Sequence, residues 1–474
     1  MKKFLIALVA GLLLVLVGRL VANMFNDDTK YTRYEVHSAE GKKNLEAMDK
    51  ALRIMRDLPC ENPLSWYYQG AMHWIPDTIN HNQLCSWYGN VSQIKDGWDN
   101  CTHSPSGKEK LHFLVWHRLY IWHFEKIVRK LSGYEEFALP YWDYTNTHRR
   151  VLPDMLRNNT SSLYEPCRFQ DLNNGKPIQG EIERALDMTK LMSYTSYSTF
   201  CMNMNAAPHG AMHDYIGAGN DTTGLLQFNN TITGTVTNTG LMGWVPTAAF
   251  DPVFWLHHSN IDRLWQQWSN SPNGKAVMYE QLKDAPWSYV FFDENGQRVE
   301  YTIEQALDIA YNGMDYNFDD TKVKAPKTPG LLTGHKEKVL VSTSTPIAIN
   351  SQITDAVTQL PLRGDHSLTV KLILTVSYTK IPRGVYEVYV NNGNGFRGAS
   401  DEEFAGFMTF FGTDHKMSGE SCKKGCCTPL TTEGRPTFTF EYEIPYSHVN
   451  KIQIYKHNGK HTGDLIIEKI EIKQ

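Results

Sequence analysis

The sequence predicts a mainly α helical-bundle domain followed by an all-β C-terminal domain, sandwich or jelly-roll-like. Three observations predict it. The chain has 474 residues, enough for two or three domains of about 150 residues each. All 12 tryptophans lie between Trp66 and Trp287, and 12 of the 18 histidines lie at or before His258, so the two parts differ in composition. The spacing of apolar residues also changes, from three or four in the first part to two in the last. With 41% hydrophobic and 21% charged residues the chain is neither disordered nor a polytopic membrane protein. Lys+Arg 47 against Asp+Glu 51 gives a net charge of −4, which argues against nucleic acid as a partner.

Taken in order, the first element is an export segment. Lys2 and Lys3 precede an apolar run from Phe4 to Gly18, the pattern of a signal peptide. Arg19 interrupts the run before a full span is reached. Residues 1–22 therefore read as a signal peptide or a signal anchor. In the second case residues 4–25 tether the protein to a membrane, and in either case it is exported (secreted or periplasmic). Export permits disulfides among the eight cysteines. Residues 23–43 read as a polar tether. Leu45, Met48, Leu52 and Met55 then form one helical face over 44–57. Residues 111–131 predict a long helix, with Lys and Arg in its last turns and Ser132-Gly133 as its stop. Short helices and turns fill 153–205, and helices follow over 206–216 and 252–269. Residues 321–337 are rich in Lys, Pro and Gly and form a linker. Alternating Val, Ile, Thr and Tyr then predict strands over 338–345, 367–379, 384–391, 436–443, 450–456 and 464–472.

The histidines carry the chemistry. His209 and His213 are four apart, which puts both rings on one face of a helix. His257 and His258 are adjacent, about 100° apart on a helix, so one of them is expected to aim at the same centre. His117 lies inside the aromatic helix, where an unpartnered imidazole is costly to bury. Imidazole clusters without acid ligands suit Cu, Zn or Fe. A zinc hydrolase would usually place a Glu in its H-x3-H, yet Gly210, Ala211 and Met212 stand there. The chain has no H-x-H pair of the multicopper type. Two imidazole-only centres are the economical reading.

The segments HFLVWHRLYIWHFE (112–125), HGAMHDY (209–215) and FDPVFWLHHSNIDRLW (250–265) resemble the copper signatures of the tyrosinase and polyphenol oxidase family of type 3 dinuclear copper proteins. The family is related to catechol oxidases and molluscan haemocyanins, and the resemblance spans about residues 45–320. It implies a type 3 copper core over 44–320 holding two copper ions with three His ligands each. Site B then maps to His209, His213 and His258, with His257 at the neighbouring non-ligand position. Site A takes His73 and His117. Its second ligand departs from the pattern, because Lys108 stands nine residues before His117. His103 in Cys101-Thr102-His103 matches the Cys-x-His of fungal and molluscan members, with His112 as the alternative. In those members Cys and His share a thioether; Cys101 is alternatively half of a disulfide.

The resemblance implies copper-dependent oxidation of phenols, chiefly o-diphenols to o-quinones, with O2 bound between two His-ligated coppers. The monooxygenase step on monophenols is doubtful. Some tyrosinases use an Asn after the first site-B ligand and a Glu nine residues before it; Gly210 and Phe200 stand there. Asp214 is a candidate base and Phe254 a gate over the metals. Trp116, Phe113 and Trp255 read as pocket wall or plain core. Arg118, Glu125, Asp143, Asp251, Asp262 and Arg263 read as structural ion pairs. A haemocyanin-like O2 carrier or an inactive paralogue is the alternative. In position and texture 338–474 resemble the shielding domain of plant-type polyphenol oxidases. Cys422-x3-Cys426-Cys427 there suits Cu(I) loading or a disulfide loop.

Overall fold

A computed structural model describes residues 30–73, 108–217, 227–232, 234–284, 287, 289–324, 338–349, 353–357, 369–379, 382, 384–391, 403–411, 430–432, 435–445, 451–456 and 464–474. The export segment, most of the linker, Cys101, His103 and the Cys422–Cys427 cluster lie outside the described residues. No helix among the described residues is long and apolar enough to cross a membrane.

The first half is helical. Helix α1 (Ala39–Asp57) starts at Ser38, whose hydroxyl accepts from the Gly41 amide at 2.9 Å. It buries Leu45, Met48, Leu52 and Met55 against α3, the long helix Phe113–Ser132. Between them lies the short α2 (Trp66–Ala71). Helix α3 ends as expected on Gly133, whose φ of 68° needs no Cβ. Helices α4 (Tyr197–Met204), α5 (Ala211–Ile216) and α6 (Val253–Asn270) follow. Asp251 secures the start of α6: its Oδ1 accepts from the Val253 amide at 2.9 Å, and the carboxylate pairs with buried Arg168. Helices α3 and α6 cross at the centre of one aromatic core.

Residues 31–43, expected as tether, belong to this core. Strand β1 (Tyr31–Arg33) pairs in parallel with β2 (Tyr316–Phe318), and α1 begins at Ala39. Arg33 is fully buried. Its Nε donates to Glu125 at 2.7 Å and its Nη1 to Asp262 at 2.9 Å, while its guanidinium lies 3.6 Å from the Tyr316 ring centre. Polarity alone reads this segment as solvated; two buried carboxylates on α3 and α6 are what draw it in. The other predicted ion pairs sit beside it: Arg118 with Asp262, and Arg263 with Asp143 at 3.3 Å.

The second half is a β-sandwich. One sheet runs β8 (Leu430–Thr432), β9 (Arg435–Pro445), β5 (Thr369–Tyr378), β11 (Leu465–Lys473), β3 (Val339–Thr343), with Ile347–Ala348 also paired to β11. The other runs β7 (Phe404–Met408), β6 (Tyr386–Asn391), β10 (Lys451–Lys456), β4 (Ile353–Val357). All these ladders are antiparallel. Val370, Leu372, Leu374 and Val376 of β5 share one core with Val388, Val390, Ile452 and Ile454 of the opposite sheet. Strands β4, β7 and β8 escaped the sequence reading. All five residues of β7 are buried, so it has no alternation to read, and β8 is only three residues long.

Acidic residues of β9 dock the sandwich on the helical half. The Glu443 carboxylate accepts from the Thr195 amide (2.7 Å), the Thr195 hydroxyl (2.8 Å) and the Ser196 amide (2.8 Å). Glu441 accepts from the Thr199 hydroxyl at 2.6 Å. Tyr194 donates to the Ala405 carbonyl at 2.6 Å, and Thr409 to the Ala206 carbonyl at 3.1 Å.

Candidate metal centre

Four helical segments converge on the histidines. His73 follows the last turn of α2, His117 sits on α3, His209 and His213 flank the start of α5, and His257 and His258 lie on α6. All are buried. The ring nitrogens of His209, His213, His257 and His258 come within 4.8 Å of one another, and so do those of His73, His117 and His258. His258 therefore joins two clusters. Its ring stacks on His117 with centres 4.3 Å apart and lies 5.1 Å from His209.

The tautomers are set by the backbone. Nδ1 of His73 meets the Val245 carbonyl at 3.1 Å, His117 that of Phe113 at 2.8 Å, His209 that of Asn205 at 3.2 Å, and His213 that of Met242 at 2.8 Å. A carbonyl only accepts, so each Nδ1 carries the proton and each Nε2 keeps its lone pair. Burial pushes His213 down to about 3; burial, aided by neighbouring rings, pushes His117 down to about 3 and holds His209, His257 and His258 well below the ordinary histidine value. Neither ring nitrogen of His258 has a hydrogen-bond partner among the described residues. Buried, neutral imidazoles of this kind fit a Cu or Zn ion, whose ligands must be deprotonated.

His257 differs from its expected place. The spacing sends one of the adjacent pair to the centre, yet both arrive. His258 faces His117, whereas His257 lies on the far side, 4.9 Å from His213, with its Nδ1 2.8 Å from the Tyr144 hydroxyl. The cluster wraps around the helix face, so a 100° offset does not take a ring out of it. His112 is elsewhere: its Nδ1 is 2.8 Å from the Tyr289 hydroxyl, and it is in neither cluster. His103 and Cys101 lie outside the described residues.

Phe254 packs between the clusters, 4.3 Å from His258 and 4.8 Å from His73 between ring centres. Phe113 contacts both His117 and His209 at 4.7 Å. Trp116 lies 4.9 Å from His117, while Trp255 stacks on Phe124 within the core. Phe200 stacks on Trp268 at 4.0 Å, so an aromatic core contact fills the position where a carboxylate was sought. Asp214 is half-buried on α5. The sequence reading missed Phe411, which follows β7 and stacks on His213 at 4.1 Å. Gly210 makes room for the neighbouring Thr409: a Cβ there would lie 2.7 Å from the Thr409 hydroxyl. It also missed the four carbonyls, which leave no side-chain signature. Cys60 is disulfide-bonded, and Cys167 and Cys201 are buried free thiols.

Comparison with known proteins agrees with this geometry. The common central domain of tyrosinase matches residues 63–184 and 159–271. A tyrosinase of Hahella sp. is 26% identical over 81% of this chain and 86% of its own length. Polyphenol oxidase II of Ipomoea batatas is 26% identical over 58% of this chain, and aureusidin synthase of Antirrhinum majus 26% identical over 60%. The chain spans about half the length of those two plant relatives, 48% and 52%. Among solved structures, latent aurone synthase superposes with a TM-score of 0.63 at 20% identity, covering 94% of this chain and 89% of its own. Latent apple tyrosinase gives 0.62 at 17%, covering 94% and 97%. These two share the helical core with a β domain behind it. Residues 63–271 match the tyrosinase central domain, and the chain is similar to the tyrosinases and polyphenol oxidases, oxidoreductases whose chemistry is copper-dependent oxidation of phenols.

Proposed function

We propose that the chain holds two coppers and oxidises o-diphenols to o-quinones with O2, with monophenol hydroxylation weak. The observation that carries this reading is the pair of buried all-imidazole clusters meeting at His258. Site A takes His73, His103 and His117; site B takes His209, His213 and His258. The coppers, when bound, supply the redox chemistry with O2. Two diphenols each give up two electrons and two protons, and one O2 becomes two waters. The protein's part is to hold each Nε2 toward the centre through its Nδ1–carbonyl bond. Phe254 and Phe113 keep the surroundings apolar. Phe200 supports the diphenol preference, since no carboxylate is available there to take a phenol proton.

The domain plan belongs to the same proposal: an export segment over 1–22, a copper core to 320, a linker over 321–337 and a shielding domain from 338. Phe411 on His213 and the Glu441–Glu443 docking support the shield. Cutting in the linker then raises activity. The test is to purify the full chain, quantify copper, and compare catechol with monophenol before and after limited proteolysis. The expected result is two coppers per chain and catechol turnover that rises on cutting. Reversible O2 binding without turnover would favour a carrier, and zinc without copper a hydrolase.

A further inference from the structure

His257 stands inside the cluster of His209, His213 and His258, and the two-copper reading leaves it without a role. What separates it from its neighbours is the group on its Nδ1. His73, His117, His209 and His213 each set Nδ1 against a backbone carbonyl, which only accepts, so each Nε2 keeps its lone pair. His257 sets Nδ1 2.8 Å from the Tyr144 hydroxyl, which can donate. Tyr144 is fully buried and pinned through its backbone: its amide donates to the Trp142 carbonyl at 3.0 Å, and its carbonyl accepts from Arg150 Nε at 3.3 Å. Burial pushes the phenol's pKa far up, so the hydroxyl keeps its proton. Asn260 also reaches the phenol. Its Oδ1 accepts from Arg263 Nη1 at 3.1 Å, and its amide nitrogen can only donate. The acceptor left for the phenol proton among the described residues is therefore His257 Nδ1. His257 Nε2 has no hydrogen-bond partner among the described residues.

We infer that Tyr144 fixes His257 as the Nε2–H tautomer and so keeps a fourth imidazole off site B. This rests on the two-copper reading and explains how site B stays at three nitrogen ligands with a fourth imidazole in reach. A neutral imidazole binds a metal only through its unprotonated nitrogen, and in His257 that nitrogen is turned to the phenol. A catalytic metal site needs an open position, which a fourth ring would fill. Tyr144 is a positioning residue: it acts through His257 and takes no part in the electron transfer.

The test has two arms, both on the full chain and neither dependent on turnover. The first is nitrogen NMR of the histidine rings, on the chain as purified and reduced so that any copper is diamagnetic. His257→Gln assigns the signal. His257 should show a protonated Nε2 and a bare Nδ1, the reverse of His117 and His213. A protonated Nδ1 overturns the inference. The second arm is competition for Zn(II) against a chelator. Tyr144→Phe keeps the ring and removes only the hydroxyl, so His257 can move its proton to Nδ1 and bind. One of two zinc ions should then be held about tenfold tighter than in wild type. The double variant Tyr144→Phe/His257→Gln should lose that gain. Unchanged or weaker zinc binding in Tyr144→Phe overturns the inference, the weaker case by showing that the phenol supports a ligand. A wild type that takes up neither zinc nor copper defeats the two-copper reading instead, and the NMR arm still decides the tautomer of His257.

Discussion

The two halves of the histidine centre are built by different means. His209 and His213 stand four residues apart at one short helix, with His258 delivered by the helix α6 that follows. His73 and His117 come from two helices distant in sequence and meet only when α2 and α3 pack on α6. The described ring contacts of Phe411 are with His209 and His213, so the β-sandwich leans on the locally built half. The difference teaches that local spacing makes one half and tertiary packing makes the other, with His258 as the hinge between them.

That contrast can be broken at several points. The largest effect should come from His258→Ala, because its ring serves both clusters. Copper should fall from two to about one per chain and quinone formation should vanish; retention of both coppers would show that His258 holds no metal. Next, His103→Ala should lose one copper while His112→Ala keeps both, since His112 is committed to Tyr289. The opposite pattern by metal analysis moves the ligand to His112. Phe411→Ala should raise catechol oxidation by the uncut chain about two- to tenfold, the worth of one aromatic stack. An unchanged rate means that the sandwich covers the site by other contacts.

The last effect is on stability, as a pH slope. His123 is buried on α3 outside both clusters, next to Tyr301, and burial pushes its pKa down to about 3. The unfolded chain keeps the ordinary value of about 6.5. Between those values the unfolded state binds the extra proton, so stability is full above about pH 6.5 and is lost as pH falls toward 3. The slope is about 1.4 kcal/mol per pH unit for one such group. His123→Leu should flatten the acid limb of metal-free denaturation curves by about that amount. An unaltered slope would assign the acid sensitivity to the histidines of the clusters.

The sequence made the local half readable because its information is local. The H-x3-H spacing and the FDPVFWLHHSNIDRLW run both survive into the fold as one helix face and one helix end. The six strands read from alternation are present within two residues at either end, since alternation is the imprint of a sheet with one buried face. What escaped was non-local. Strand β7 is buried throughout and passes through Gly406 at φ 157°, so it has neither alternation nor a typical strand composition. Phe411 is one aromatic in a short run, and only docking gives it a ring to stack on. His257 entered the cluster through the curvature of the site, which spacing along one helix does not encode.

Arg33 sets a boundary for processing. Its guanidinium bridges Glu125 and Asp262, two buried carboxylates that also pair with Arg129 and Arg118. A maturation cut that removed it would take two buried charge-assisted hydrogen bonds and the β1–β2 pairing out of the core. On the proposed export reading, a trimming cut must therefore fall before Tyr31, where β1 begins to pair with β2.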